Sequence, residues 1–308
     1  MRLRLIALAL GLTVLGSPPA WAAADYATIL DLPKGTKIDF TVQRTRSGGS
    51  FPQPMTATFR YRQDIEPTRK GYRVRQKMTG AEFPPEVSPA ERASAEQAAA
   101  SAADITYEAA ADLSPLRVED WKGLVDRLAT AAGARDDRLG EATRRALGRM
   151  SPEQAAQALM REQQMAASMQ NVELELGLSL SETQDVPNPL GGGPPIASTY
   201  SIRLESLGKA AGRAVITTRQ TLDPESAGAS VKAVVEALAK QARGDAAVPL
   251  PPSGFRLERT VECRSVMDVA TGLALSTDCT QLVTTLNEAM QSVRQTDRWV
   301  ITQTIVTP

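Results

Sequence analysis

The chain has 308 residues, 42% hydrophobic and 23% charged, an ordinary globular composition that argues against disorder throughout. Thirty-five basic residues balance thirty-five acidic ones, so no net positive field exists to gather nucleic acid or anionic membrane. Histidine is absent, which excludes a Ser-His-Asp triad, a Cys-His pair, a histidine general base and a histidine-ligated zinc site.

The first 22 residues read as an address. Arg2 and Arg4 give a basic start, Leu5 to Gly16 is an apolar stretch too short to cross a bilayer, and Ser17-Pro18-Pro19 breaks it before the small-x-small site Ala20-Trp21-Ala22. A secretory signal peptide over residues 1–22, cleaved after Ala22, is the expectation. No cysteine lies near that site to carry a lipid, and no later apolar run approaches the roughly 18 residues that a membrane helix needs. Removal of Arg2 and Arg4 leaves 33 basic against 35 acidic residues. The expected location is periplasmic or secreted, with no membrane span.

Residues 23–86 read as an N-terminal β meander. Ile38, Phe40 and Val42, then Met55, Ala57, Phe59 and Tyr61, then Tyr72, Val74 and Met78 alternate with polar residues, the period of half-buried strands. Ser47-Gly48-Gly49-Ser50 and the segment from Glu66-Pro67 to Gly71 supply turn chemistry between them. Arg60, Arg62, Arg73, Arg75 and Lys77 would line the outer, solvated face.

Residues 87–170 read as a mainly helical segment packing on the sheet. Ser88-Pro89-Ala90-Glu91 has the grammar of a capped helix start, leading to an Ala-rich helix to about Ala102. A strand at Ile105 to Ala111 follows, and Val118, Trp121, Leu124, Val125 and Leu128 recur as a helix stripe with Trp121 as core anchor. The pattern is helical again from Gly133 to about Met150, and Ser151-Pro152-Glu153-Gln154 opens a helix expected to end near Gln170. Met150, Met160, Met165 and Met169 sit close in sequence, but their spacing does not collect four thioethers on one helical face. Apolar gap-filling is therefore preferred to copper ligation.

Residues 171–308 read as a β-rich part with one helix and a disulfide hairpin, and residues 23–308 are also readable as one domain. Val172 to Leu180 alternates cleanly and predicts a one-sided strand. Pro187 to Pro195, with Gly191-Gly192-Gly193, lacks the Lys-Ser/Thr ending of a phosphate loop and reads as a flexible connection. Tyr200, Ile202 and Leu204 pair with Arg213 to Leu222 as a hairpin, and Asp223-Pro224 caps a helix carrying Val231, Val234, Val235 and Leu238. Gly244 to Gly254 ends that unit, and Trp299 to Val306 forms a terminal strand.

Cys263 and Cys279 are the only cysteines, and in an oxidising compartment such a pair forms a disulfide. They lie symmetrically about Ala270-Thr271-Gly272, which predicts a three-residue loop with Gly272 at positive φ and the two cysteines as cross-strand neighbours facing the core. A four-residue loop beginning at Val269 is the alternative, and it requires a bulge to restore the pair.

The fold class expected is α+β: antiparallel β meanders, as a curved sheet or open half-barrel, covered by a central helical segment. Secreted half-barrels with helices across the mouth, such as periplasmic lipoprotein carriers, are similar in architecture, although no motif matches residue by residue. The functional expectation is a secreted or periplasmic non-enzymatic protein that binds or carries an apolar ligand such as a lipid or acyl chain. Candidate lining residues are Met160, Met165, Met169, Leu174, Leu176 and Leu178, and the sequence calls for no cofactor or metal. The alternative is a structural or protein-interaction module of the cell envelope that recruits its partner by exposed strand edges. Glu119-Asp120 and Asp136-Asp137 diverge as sequence neighbours and provide no paired acid and base. Oligomeric state is left open.

Overall fold

A computed structural model describes residues 24–49, 51–87, 92, 96, 104–134, 136–186, 188, 194–243, 256–286 and 292–306. The expected signal peptide, the Ala-rich helix after Ser88, the Gly191–Gly193 run and the Gly244–Gly254 segment lie outside, or almost wholly outside, these residues. No described helix is long and apolar enough to cross a membrane.

The fold is α+β. Thirteen strands are described: β1 (Tyr26–Ala27), β2 (Lys37–Gly48), β3 (Phe51–Thr68), β4 (Gly71–Glu82), β5 (Ile105–Ala109), β6 (Pro115–Val118), β7 (Glu173–Leu174), β8 (Ser179–Val186), β9 (Ile196–Gly208), β10 (Arg213–Leu222), β11 (Arg256–Asp268), β12 (Ala274–Leu286) and β13 (Ser292–Val306). Eleven of them form one antiparallel sheet in the order β6-β5-β4-β3-β2-β13-β12-β11-β10-β9-β8, which does not close into a barrel. The remaining two, β1 and β7, pair with each other. Both meanders thus belong to one sheet, joined at its centre where β2 meets β13 over Lys37–Gly48 and Gln295–Val306.

The period-2 pattern decides which face is covered. Ile38, Phe40 and Val42 on β2, Ile65 on β3, Val74 on β4, Ile216 on β10 and Trp299 and Ile301 on β13 are all buried in one core cluster. Their sequence neighbours carry charge to the other face, where Arg60 pairs with Glu82, Arg62 with Asp39 and Arg73 with Glu119. The basic stripe seen in the sequence is therefore a solvated face with local counter-ions.

Five α-helices are described: α1 (Trp121–Gly133), α2 (Asp137–Leu147), α3 (Pro152–Leu159), α4 (Arg161–Ala167) and α5 (Pro224–Arg243). The stripe of α1 buries Trp121, Leu124, Val125 and Ala129, and the Trp121 indole N–H donates to the Met150 carbonyl at 2.9 Å. At α3 the Ser151 hydroxyl accepts from the Gln154 N–H while the Gln154 side chain accepts from the Ser151 N–H, the full capping box. The single helix expected from Pro152 to Gln170 is instead two. Met160 leaves helical geometry (φ −113°, ψ 42°), so α4 starts afresh and lies over β12 and β13 while α3 lies against β6. Asp223 caps α5 by accepting from the Ser226 N–H at 2.8 Å, and α5 covers β9 and β11.

Two further expectations change in detail. Val172 to Leu180 is not one strand. Asn171 and Gly177 both take positive φ, so the alternation is split into the short β7, a parallel bridge from Leu176 to Leu204, and β8. The hairpin between β11 and β12 closes with four residues, Val269–Gly272: the Asp268 N–H donates to the Leu273 carbonyl at 2.8 Å and Gly272 takes φ +71°. A bulge at Val266/Met267 absorbs the extra residue, and Cys263 stays directly opposite Cys279, with which it forms a disulfide. Both cysteines face the core, as their parity requires.

Register and hydrogen bonding show that the sheet curls. Gln76 on β4 is level with Ile38 on β2, through Gln63, and Gln281 on β12 is level with Arg46, through Asp297. Eight residues along the strand and four strand spacings across would set the two glutamines about 33 Å apart on a flat sheet. Yet Gln76 Oε1 accepts from Gln163 Nε2, and Gln281 Oε1 accepts from Arg161. Those donors are two residues apart in α4, a rise of about 3 Å, which extended side chains cannot stretch to span a flat sheet. The sheet wraps around α4.

Candidate site on the concave face of the sheet

The inner face changes character along the strands. One row of cross-strand neighbours, Val42, Ile301, Thr277, Ser265 and Ile216, is apolar at its ends with a hydroxyl pair at 2.8 Å in the middle. The next inner row is Arg44, Trp299, Cys279, Cys263 and Thr218, and the one after it Arg46, Asp297, Gln281, Val261 and Gln220. Charge thus enters the inner face where the apolar pattern stops. Arg44 and Arg46 keep the inward parity of Ile38, Phe40 and Val42, and Arg259 keeps that of Val261 and Cys263, so alternation itself turns these cations inward.

Four guanidinium groups gather there. Asp297, almost completely buried, accepts from Arg46 Nε at 2.8 Å, from Arg44 Nη2 at 3.3 Å and from Gln295 Nε2 at 3.0 Å. Gln281 Oε1 accepts from Arg259 Nε at 2.8 Å and also from Arg161, which descends from the first residue of α4. The Trp299 ring lies beneath two of these cations, 5.1 Å from the Arg44 guanidinium carbon and 4.5 Å from that of Arg161. Burial and the repulsion of Arg259 and Arg44 lower the Arg161 pKa to about 10, against the opposing pull of Glu162 and Asp297, so it stays charged at neutral pH. Burial lowers Arg259 as well.

Two donors in this cluster have no acceptor among the described residues: Arg44 Nε and Trp299 Nε1, both buried. An unsatisfied buried donor carries a desolvation cost of about 1–3 kcal/mol, so a site with two of them calls for an oxygen acceptor. The cluster is not sealed, since 30% of the Arg44 side chain and 39% of Arg46 remain accessible.

Around the cations the inner face is apolar and incompletely covered. Phe59, Met78 and Phe83 lie on the β3–β4 side, with Phe59 and Phe83 edge to face at 5.8 Å, and Val283 and Leu257 lie on the β11–β12 side, where Leu257 packs against a second small core of Ile196, Leu222 and Ala227. All five are half-buried, while Met55 and Val293 on the same inward parity are exposed.

Two other depressions carry charge of both signs. A cleft of about 980 Å³ is lined by Lys37, Arg73, Arg75 and Arg127 against Asp64, Glu66, Asp104, Glu119 and Asp120. A groove of about 700 Å³ on the outer face holds Arg203, Arg219, Arg264 and Arg298, the last three paired with Glu262, Glu205 and Asp278 respectively. Arg75 and Asp104 in the cleft and Arg203 in the groove have no salt bridge among the described residues, and all three lie on open, solvated surface. No group of residues suited to hold a metal ion occurs among the described residues.

The lining residues expected from sequence are divided. Met160, Met169 and Leu174 are buried in the principal core and Met165 packs against it. Leu176 and Leu178 are exposed on either side of Gly177 and take no part in it. The arginine cluster is not among the residues expected from sequence, because arginine between apolar positions is also what a solvated outer face carries. The signal available was the charge on the inward parity of β2, β11 and β13.

No protein-family model matches the chain, and no curated protein is significantly similar to it.

Proposed function

We propose that the protein is a secreted or periplasmic binding protein that holds an apolar ligand such as a lipid or acyl chain against the concave face of its open sheet. The observation that carries this reading is the band of half-buried apolar side chains, Phe59, Met78, Phe83 and Val283, on the one face of the sheet that curls inward. Incompletely covered apolar surface inside a concavity is what an apolar ligand would complete, each buried CH₂ contributing about 0.8 kcal/mol. The unclosed sheet leaves room for a chain to enter, because β6 and β8 have no common ladder. The disulfide and the basic, apolar, small-residue order of residues 1–22 support a location outside the cytoplasm.

Native mass spectrometry of protein purified without detergent tests it. A copurifying lipid, or saturable uptake of added fatty acid or lipopeptide, is expected. Protein that neither carries nor takes up such a ligand overturns the reading.

One observation favours an envelope interaction module as a second reading. Strand β8 is one of the two edges of the described sheet, and Leu176, Leu178 and Leu180 are exposed along its approach. A stoichiometric partner captured from envelope extract, lost when β8 is interrupted by proline at Thr183, is the result this reading requires.

A further inference from the structure

We infer that the ligand is an acidic amphiphile whose single carboxylate or phosphate head seats among Arg44, Arg161, Arg259 and Trp299, its chain running along the neighbouring apolar face. This rests on the ligand-carrier reading above and specifies its ligand class. A purely apolar ligand would have no use for cations placed inside the concavity, and burying them costs solvation that nothing apolar returns.

The charge count points the same way. The cluster holds four guanidiniums, of Arg44, Arg46, Arg161 and Arg259, while the facing anions are Asp297, salt-bridged to Arg44 and Arg46, and Glu162, beside Arg161 on α4. Two positive charges are left over. Gln281 Oε1 already accepts from two donors and Asp297 from three, so the cluster's own acceptors are largely used. The unpartnered Arg44 Nε and Trp299 Nε1 are both donors, and an acid head brings two or more acceptor oxygens with the needed negative charge. Phosphate would suit the guanidinium forks as well as carboxylate does, so the chemistry shared by the two is what the site selects.

Equilibrium dialysis of the full chain against paired probes tests the inference: oleate with oleyl alcohol, and phosphatidic acid with diacylglycerol, each pair differing in the acid group alone. In at least one pair the acid should bind tenfold or more tightly than its neutral counterpart, and which pair shows it identifies carboxylate or phosphate. Arg44→Gln and Trp299→Phe should each weaken the acid severalfold and leave the neutral probe unchanged. Equal binding of acid and neutral probe in both pairs overturns the inference while sustaining an apolar carrier, and absence of all binding overturns both. Trp299→Phe keeps an aromatic ring in the core and removes only the indole N–H, so it carries the comparison if Arg44→Gln fails to fold. Variants that bind the acid as wild type does also overturn it.

Discussion

The guanidinium of Arg161 lies 4.5 Å from the centre of the Trp299 ring, so a helix that merely covers the sheet elsewhere is here tied to its floor by a cation on an aromatic face. Trp299 is fully buried and belongs to the same core as Phe40, Val42 and Cys279. The ring therefore serves both the packing below and the charge above.

Separating those two services is a matter of two substitutions. Trp299→Ala should lower stability by about 3–5 kcal/mol, the range for truncating a buried aromatic. Trp299→Phe should cost much less, because the indole N–H it removes has no partner to lose among the described residues. Urea unfolding of the two variants checks the difference, and equal losses would contradict it.

Asp297 is the counter-ion of the cluster. Asp297→Asn should destabilise the fold by about 2 kcal/mol, since a hydrogen bond to a charged group contributes about 1.5–3 kcal/mol and Arg44 and Arg46 stay partly solvated. Added sulfate should recover more of that loss than chloride at equal ionic strength, as shown by thermal unfolding in the two salts.

The disulfide joins strands that are already paired along their whole length, from Arg256↔Leu286 to Met267↔Ala274. Replacing both cysteines by alanine should therefore cost about 3 kcal/mol through the freer unfolded chain, without shifting the register. Thermal unfolding with and without reductant should give the same difference as the double variant, and circular dichroism of the folded state should not change.

Alkaline stability follows from the phenols. Burial raises the pKa of Tyr26, Tyr61 and Tyr107, and that of Tyr200 to about 12. Below pH 10 both folded and unfolded chains hold these protons, and the associated stability is fully present. Above pH 10 the unfolded phenols ionise while the folded ones resist, so stability falls as pH climbs through 10 towards 12. Arg161 acts in the opposite sense, relieving its own burial as it loses its proton above about pH 10. Tyr107→Phe should flatten the fall between pH 10 and 12 in urea midpoints, and an unchanged slope would refute the assignment.

Much of the sheet was legible in the sequence because burial on one face writes itself as alternation. Ile38–Val42, Tyr72–Val74 and Trp299–Ile301 follow it directly. The α+β class and the opposed cysteines came from the same pattern. What alternation cannot report is a backbone turn whose side chains keep the rhythm. Val172 to Leu180 alternates on either side of Gly177, and only positive φ at Asn171 and Gly177 splits it. The break at Met160 is equally silent, because Leu159 and Met160 are good helix formers whose continuation is prevented by what α3 and α4 must each cover. The cationic cluster was written in plain view, as arginine on core parity, but its members come from β2, α4 and β11 and only the register brings them together.

The sheet's midline has a consequence for how the molecule is born. The first long strand described, β2, has on one side the sequence-adjacent β3 and on the other the last strand described, β13. A nascent polypeptide can fold hairpins as they emerge, yet it cannot join its two wings until β13 has been made. A seam that spans so much sequence slows folding relative to the local hairpins on either side of it.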